Sequence, residues 1–349
     1  LEFGVFHEFQ RPPGASEAEA FAQSFAVIDA AEHQGLDVMW LAELHFAPER
    51  SVLASPLILA GALAERTRRM KIGTAVQVLP LCHPLRLAEE AATVDQLSQG
   101  RLIFGVGRSG FPRTYEAYGV PYAESRERFA ETLEIVKRAW REERFSYHGK
   151  YFSYDNVAVV PKPWQKPHPP IRIAATSPDT FPAIGALGHA AFVAARIGTL
   201  SDLAPQVQSY REAYKAAGHP GPGEIYLRVP VYVAETDRLA RDEPKESIMN
   251  FFRYIGDRLA DSASRPGART VEDRAARAQQ LQTIDYDEAL REKMIVGTPE
   301  RVADRLTQLR GELGINGILA ELNPGGLIPH ERVMNALRLL CEEVMPRFK

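Results

Sequence analysis

Two hydrophobic rhythms take turns along this chain: short unbroken apolar runs, and longer stretches where apolar residues return every three or four positions. The first suits strands buried on both faces, and the second suits helices with one apolar face. Leu1 to His7 reads as a strand, followed by a helix over Ala18 to Gln34 with Phe21, Phe25, Ile28 and Ala31 on one face and Gly35 as its stop. The strand Asp37 to Ala42 precedes the helix Ser55 to Arg66, whose start carries a capping serine and a first-turn proline. The strand Lys71 to Leu79 leads to the helix Leu85 to Ser98, and the turn Gln99-Gly100 opens the strand Leu102 to Val106. Repetition of this kind leaves two economical folds, a closed barrel or a doubly wound open sheet.

The second half stretches the rhythm. Ser125 to Arg141 is a helix, Tyr151 to Val160 alternates as an excursion beside the sheet, and PKPWQKPHPP stiffens the approach to the strand Ile171 to Ala174. The helix Thr180 to Leu187, the strand Ala190 to Ala194, the helix Ser201 to Ala217 and the strand Ile225 to Ala234 follow. From about Gly256 to Glu272 apolar spacing is irregular and Pro266-Gly267 intervenes. A long insertion there reads as a mobile lid over about 256–280. Thr298-Pro299-Glu300 opens a helix to about Leu313, Gly317 to Leu322 is the eighth strand, and Glu331 to Met345 closes the chain as a helix. Eight strands favour an α/β fold of the (β/α)8 TIM-barrel type with insertions, one domain over residues 1–349, with right-handed crossovers.

Composition narrows the functional classes. The chain is 45% hydrophobic and 25% charged, with a net charge of -3. That balance provides a substantial core and no polybasic surface, so neither nucleic acid nor an anionic membrane is an expected partner. The two cysteines, Cys82 and Cys341, are too few for a disulfide scaffold or a metal cluster. No apolar run approaches a membrane span, and the chain opens directly into a strand. A cytoplasmic protein is expected.

In a parallel barrel the C-terminal ends of the strands form the active-site mouth. WLAELHF, Trp40 to Phe46, closes an apolar strand with Glu43 and His45 two residues apart. His45 can move a proton near neutral pH, or it can simply hold the strand ends through Glu43. His7 and Glu8 form a second polar pair, expected at the same mouth. Gly105-Val106-Gly107-Arg108 lacks the spacing of a dinucleotide fingerprint, but Gly107 permits close backbone approach and Arg108 can fork onto a phosphate or remain a turn residue facing solvent. AATSPDT, Ala174 to Thr180, joins a strand end to a helix start, where Ser177 and Thr180 can receive an anion or act as ordinary caps. GTPERV from Gly297 reads as a helix cap. The histidines show no zinc-like or HExxH spacing, so no metal is expected.

The blocks GLDVMWLAELHF, KIGTAVQVLPLCHPLRLAEEAATVDQLSQGRLIFGVGR, IRIAATSPDT, VGTPERV and GINGILAELNPGG, with EEVMP near the end, resemble the bacterial luciferase-like superfamily of flavin-dependent monooxygenases, the alkanal monooxygenase chains in particular. The resemblance implies reduced FMN (FMNH2) delivered by a separate flavin reductase, molecular oxygen, an apolar organic substrate such as an aldehyde or natural-product intermediate, and a homodimer packed through the helices Ser55 to Arg66 and Leu85 to Ser98. It puts the flavin phosphate on Arg108, Ser177 and Thr180, with Thr176 where luciferase carries glutamate. The ring lies against Ala75 and Val76, joined by a non-proline cis bond. Glu43 and His45 match the luciferase EHHF segment, but its intervening histidine is Leu44 here, which cannot exchange a proton, so a non-luminescent reaction is expected. Gly107 stands where the family has a reactive thiol. Two other functions remain open within the resemblance: a deazaflavin-dependent hydride-transferring oxidoreductase, and a non-catalytic flavin-binding protein.

Overall fold

Near-continuous apolar strands must be covered on both faces, and here a ring of helices covers them outside while side chains fill them inside. The computed structural model describes residues 1–175, 177–195, 198–263 and 271–349. At its centre are eight parallel strands: β1 (Glu2–His7), β2 (Val38–Leu41), β3 (Lys71–Thr74), β4 (Leu102–Gly107), β5 (Ile171–Ala174), β6 (Ala190–Ala194), β7 (Ile225–Val233) and β8 (Gly317–Glu321). They follow one another in chain order, and the pairing of β8 with β1 closes the ring. Each coincides with an apolar run, and the fold is the expected TIM barrel.

Register stacks the interior. Phe6 stands opposite Trp40 across β1 and β2, and Trp40 opposite Gly73 across β2 and β3. A Cβ on Gly4 would lie 2.3 Å from Trp40 Nε1, and one on Gly73 would lie 2.1 Å from the indole ring. Only glycine leaves room for the indole between its neighbours. Phe192 meets Trp40 edge-on at 5.1 Å. Below them the Arg172 guanidinium lies 3.4 Å from the centre of the Tyr226 ring and donates to Glu2 at 2.7 Å. These layers plug the end of the barrel at which the strands begin.

Helix ends follow local chemistry. Glu17–His33 starts at Ser16, whose hydroxyl accepts from the Glu19 N–H while the Glu19 carboxylate accepts from the Ser16 N–H at 2.7 Å. Gly188 and Gly314 stop Thr180–Leu187 and Pro299–Leu313 in the left-handed region, at φ 74° and 62°.

Two segments differ in form from the expectation. The excursion beside the barrel is an antiparallel hairpin, Phe145–His148 with Ser153–Val157. The insertion expected to be irregular from Gly256 contains two helices, Lys245–Ala263 and Val271–Thr283. Residues 264–270 of the expected lid lie outside the described residues. The helical repeat starts before Gly256: Ile248, Phe251, Phe252 and Ile255 are buried with Leu281, Ile284 and Tyr286. Among the described residues, no helix is long and apolar enough to cross a membrane.

Candidate active site

At the C-terminal ends of the strands the barrel opens into a cavity of about 520 Å3. Its floor and walls are largely apolar, from Phe6, Ala42, Leu44, Ala75, Val76, Ala174, Phe192 and Leu319. Ile255 and Leu259 of the helix Lys245–Ala263, with Arg277 and Gln280 of the helix Val271–Thr283, also border it. A cavity of this size is within the usual range for small-molecule sites, roughly 300–1,000 Å3.

Glu43 and His45 leave the end of β2 together. His45 Nε2 lies 2.8 Å from Glu43 Oε1, and the Tyr118 hydroxyl lies 3.2 Å from His45 Nδ1. The other Glu43 oxygen accepts from Gln77 Nε2 at 2.7 Å and from the Val78 N–H at 2.8 Å. In the tautomer with the hydrogen on Nε2, His45 donates to Oε1 and its Nδ1 accepts from Tyr118. Both imidazole nitrogens are therefore engaged by protein groups. Glu43 and Leu44 border the cavity, whereas His45 stands behind Glu43.

The expected flavin-binding residues gather on one side. The peptide bond between Ala75 and Val76 is cis, and both residues line the cavity. Gly107 backs Val76, leaving no room for a Cβ. Arg108 reaches the cavity and donates from Nη1 to Ser125 Oγ at 2.8 Å. Among the described residues no carboxylate is in ion-pair range of its guanidinium. Thr180 also borders the cavity, at the first turn of Thr180–Leu187, and its hydroxyl donates to the Ser177 carbonyl at 2.6 Å. Ser177 Oγ donates to Asp179 Oδ1 at 2.6 Å, and Asp179 in turn pairs with Arg126. Thr176 lies outside the described residues.

His7 does not border the main cavity, whereas Glu8 does. Successive side chains of a strand face opposite sides, so Phe6 and Glu8 reach the main cavity while His7 turns toward the surrounding helices. There it borders a second space of about 40 Å3 with Ser24 and His330, which Phe6 and Glu8 also touch. Its Nε2 is buried without a hydrogen-bond partner among the described residues, and desolvation lowers its pKa to about 4. Cys82, near Glu43, is no ready nucleophile, because burial and then the Glu43 charge push its thiol up to about 12.

One part of the site has no local sequence signal. Glu8 accepts from Arg50 Nε at 2.9 Å, pairs again with Arg50 Nη2, and accepts from Arg228 Nη2 at 3.4 Å. Arg228 also forks onto Glu321 at 2.7 and 2.8 Å. Glu8, Arg50 and Arg228 border the cavity. The only hint in the sequence is Arg228 within the apolar run of β7, since a charge is rarely buried unless paired.

Comparison with known proteins places this geometry in context. A family model described as Luciferase-like monooxygenase matches residues 1–317. The oxygenase component of flavin-dependent trigonelline monooxygenase from Acinetobacter baylyi is 25% identical over 364 residues, covering 100% of this chain and 96% of that one. F420-dependent glucose-6-phosphate dehydrogenase from Kineococcus radiotolerans is 36% identical over 184 residues, which cover 50% of this chain and 53% of that one. Among solved structures, monooxygenase RslO1 from Streptomyces bottropensis superposes with a TM-score of 0.84 at 27% identity, covering 100% of both chains. The oxygenating constituent of 3,6-diketocamphane monooxygenase from Pseudomonas putida, in complex with FMN, has a TM-score of 0.82 at 21% identity and covers 100% of this chain and 99% of that one.

Proposed function

The chain belongs to the luciferase-like monooxygenase family, and from that premise we propose that it is the oxygenase of a two-component system. It takes reduced FMN from a separate reductase and uses dioxygen to oxidise an apolar organic substrate without emitting light. The observation that carries this reading is the wall made by Ala75 and Val76 and backed by Gly107, with Arg108 and Thr180 on the same cavity. This arrangement fits a flavin: an apolar surface of Ala75 and Val76 held in place from behind by Gly107, and beside it an arginine with no carboxylate partner among the described residues. Arg108 and the turn at Ser177 and Thr180 would hold the phosphate, and Ala75 and Val76 would support the ring. When bound, reduced flavin supplies the two electrons with which dioxygen is activated.

The chain's own contribution is shape, dryness and proton control. Phe6, Leu44, Phe192 and Leu319 exclude water and receive an apolar substrate. Leu44, in place of a titratable side chain, leaves Glu43 as the proton-exchanging group next to it on the cavity, with His45 behind it. Ile58 and Leu97, exposed on the early helices, support a homodimer.

Anaerobic equilibrium titration with reduced FMN, and in parallel with reduced deazaflavin, tests the cofactor. Reduced FMN is expected to bind the more tightly, and its reoxidation on mixing with oxygen to differ in time course from that of free flavin. Arg108→Ala is expected to weaken FMN binding at least about tenfold, through loss of a charge-assisted bond. Preferential binding of the deazaflavin, with reoxidation of FMN unaffected by the protein, would replace this reading with hydride transfer.

A further inference from the structure

A continuous line of hydrogen bonds leads from the protein surface to the cavity wall. Its outer member, Tyr118, follows the short helix Pro112–Ala117 and is 48% exposed. Side-chain exposure then falls to 10% at His45 and 4% at Glu43, which borders the cavity. The bonds are 3.2 Å from the Tyr118 hydroxyl to His45 Nδ1 and 2.8 Å from His45 Nε2 to Glu43 Oε1. In the tautomer with the hydrogen on Nε2, the roles run in one direction: Tyr118 O–H to Nδ1, then Nε2–H to the carboxylate. Other titratable groups stand near this line. Cys82 lies 3.4 Å from the Gln77 amide that holds Glu43, Tyr115 is on the helix before Tyr118, and Arg258 pairs with Glu49 beside Phe46. Among the described residues none of these is bonded to His45.

We propose that Tyr118, His45 and Glu43 form a relay that delivers a proton from solvent to the reaction cavity, with Glu43 as its inner terminus and Tyr118 as its outer one. The proposal rests on the oxygenase reading, because it needs a reaction in the cavity that consumes a proton. The Tyr118 hydroxyl hydrogen passes to His45 Nδ1, the Nε2 hydrogen passes to Glu43 Oε1, and Glu43 releases one proton inward; surface water reprotonates Tyr118. Between turnovers the imidazole regains its Nε2–H form by exchange with solvent. One proton is taken from water and one is given to the cavity, and only O–H and N–H bonds change. His45 and Tyr118 thus act through Glu43, as positioning residues that recharge it.

Tyr118→Phe tests the relay with little risk to folding, since it keeps the ring that meets His45 edge-on at 5.2 Å and removes only an exposed hydroxyl. Nitrogen-15 NMR of the flavin-free chain, with His45 assigned by its loss in His45→Gln, should show the Nε2–H tautomer. Tyr118→Phe should shift the Nδ1 resonance. With reduced FMN and oxygen, the variant should bind the flavin with unchanged Kd. Its oxidation of bound flavin should slow at least about tenfold above pH 7 and recover on addition of imidazole as a small proton carrier. An unshifted Nδ1 resonance overturns the relay, as does a variant that matches the wild type in oxidation rate, pH profile and imidazole response. A wild-type protein that leaves flavin oxidation unchanged from that of free flavin overturns the oxygenase reading and the relay with it.

Discussion

Gly107 stands directly behind Val76, so close that a Cβ added to it would lie 2.5 Å from Val76 Cγ2 and 3.4 Å from Ala174 Cβ. Gly107→Ala must therefore push Val76 toward the cavity. Overpacking of this kind costs about 1–3 kcal/mol, and the displaced wall should weaken reduced-FMN binding several-fold. Thermal melts and an anaerobic titration measure the two effects; unchanged affinity would detach Gly107 and Val76 from the flavin site.

The charges around Glu8 should respond very differently to loss and to neutralisation. Glu8→Leu leaves the buried Arg50 guanidinium without its carboxylate and removes one of the two that Arg228 contacts. Breaking a buried pair on one side costs about 3–5 kcal/mol. Denaturant unfolding should show that loss for Glu8→Leu and a smaller one for Glu8→Gln, which still accepts hydrogen bonds. Equal, small losses in both would mean that the network contributes little to stability.

His7 gives a sign and a pH window. Desolvation lowers its folded pKa from 6.5 to about 4, so between these values the unfolded chain binds the proton and the folded chain does not. Stability is therefore fully present above pH 6.5 and declines as pH falls toward 4, by roughly 3 kcal/mol from this residue. In His7→Gln the fall in unfolding free energy between pH 7 and pH 4.5 should be shallower. His189, buried and also lowered to about 4, should leave part of the slope in place. A variant slope equal to that of the wild type would remove His7 as its source.

Ile58 is 79% exposed on Pro56–Arg66, and Leu97 is 44% exposed at the end of Pro84–Leu97. If these helices form the homodimer contact, Ile58→Arg should shift sedimentation from dimer toward monomer without changing the melting temperature of the monomeric fold. A wild-type protein that sediments as a monomer at micromolar concentration would exclude the dimer.

The barrel was legible because its strands are short apolar runs of one period, from Glu2–His7 to Gly317–Glu321, and local composition is enough to mark such runs. The helix Lys245–Ala263 was less so: its repeat through Ile248, Phe251, Phe252 and Ile255 precedes the stretch from Gly256 that looked irregular. His7 and Glu8 are adjacent in sequence but leave the strand on opposite sides, as a period of two requires, and only Glu8 borders the main cavity. The partnership of Glu8 with Arg50 and Arg228 joins residues far apart along the chain, and no window of sequence contains it. Likewise, nothing near Tyr118 announces His45; only the folded chain brings hydroxyl and imidazole together.

Trp40, wedged between Gly4 and Gly73 above Tyr226 and Arg172, stops up the end of the barrel at which the strands begin. Any cofactor and substrate that share the cavity must therefore come and go by the opposite end.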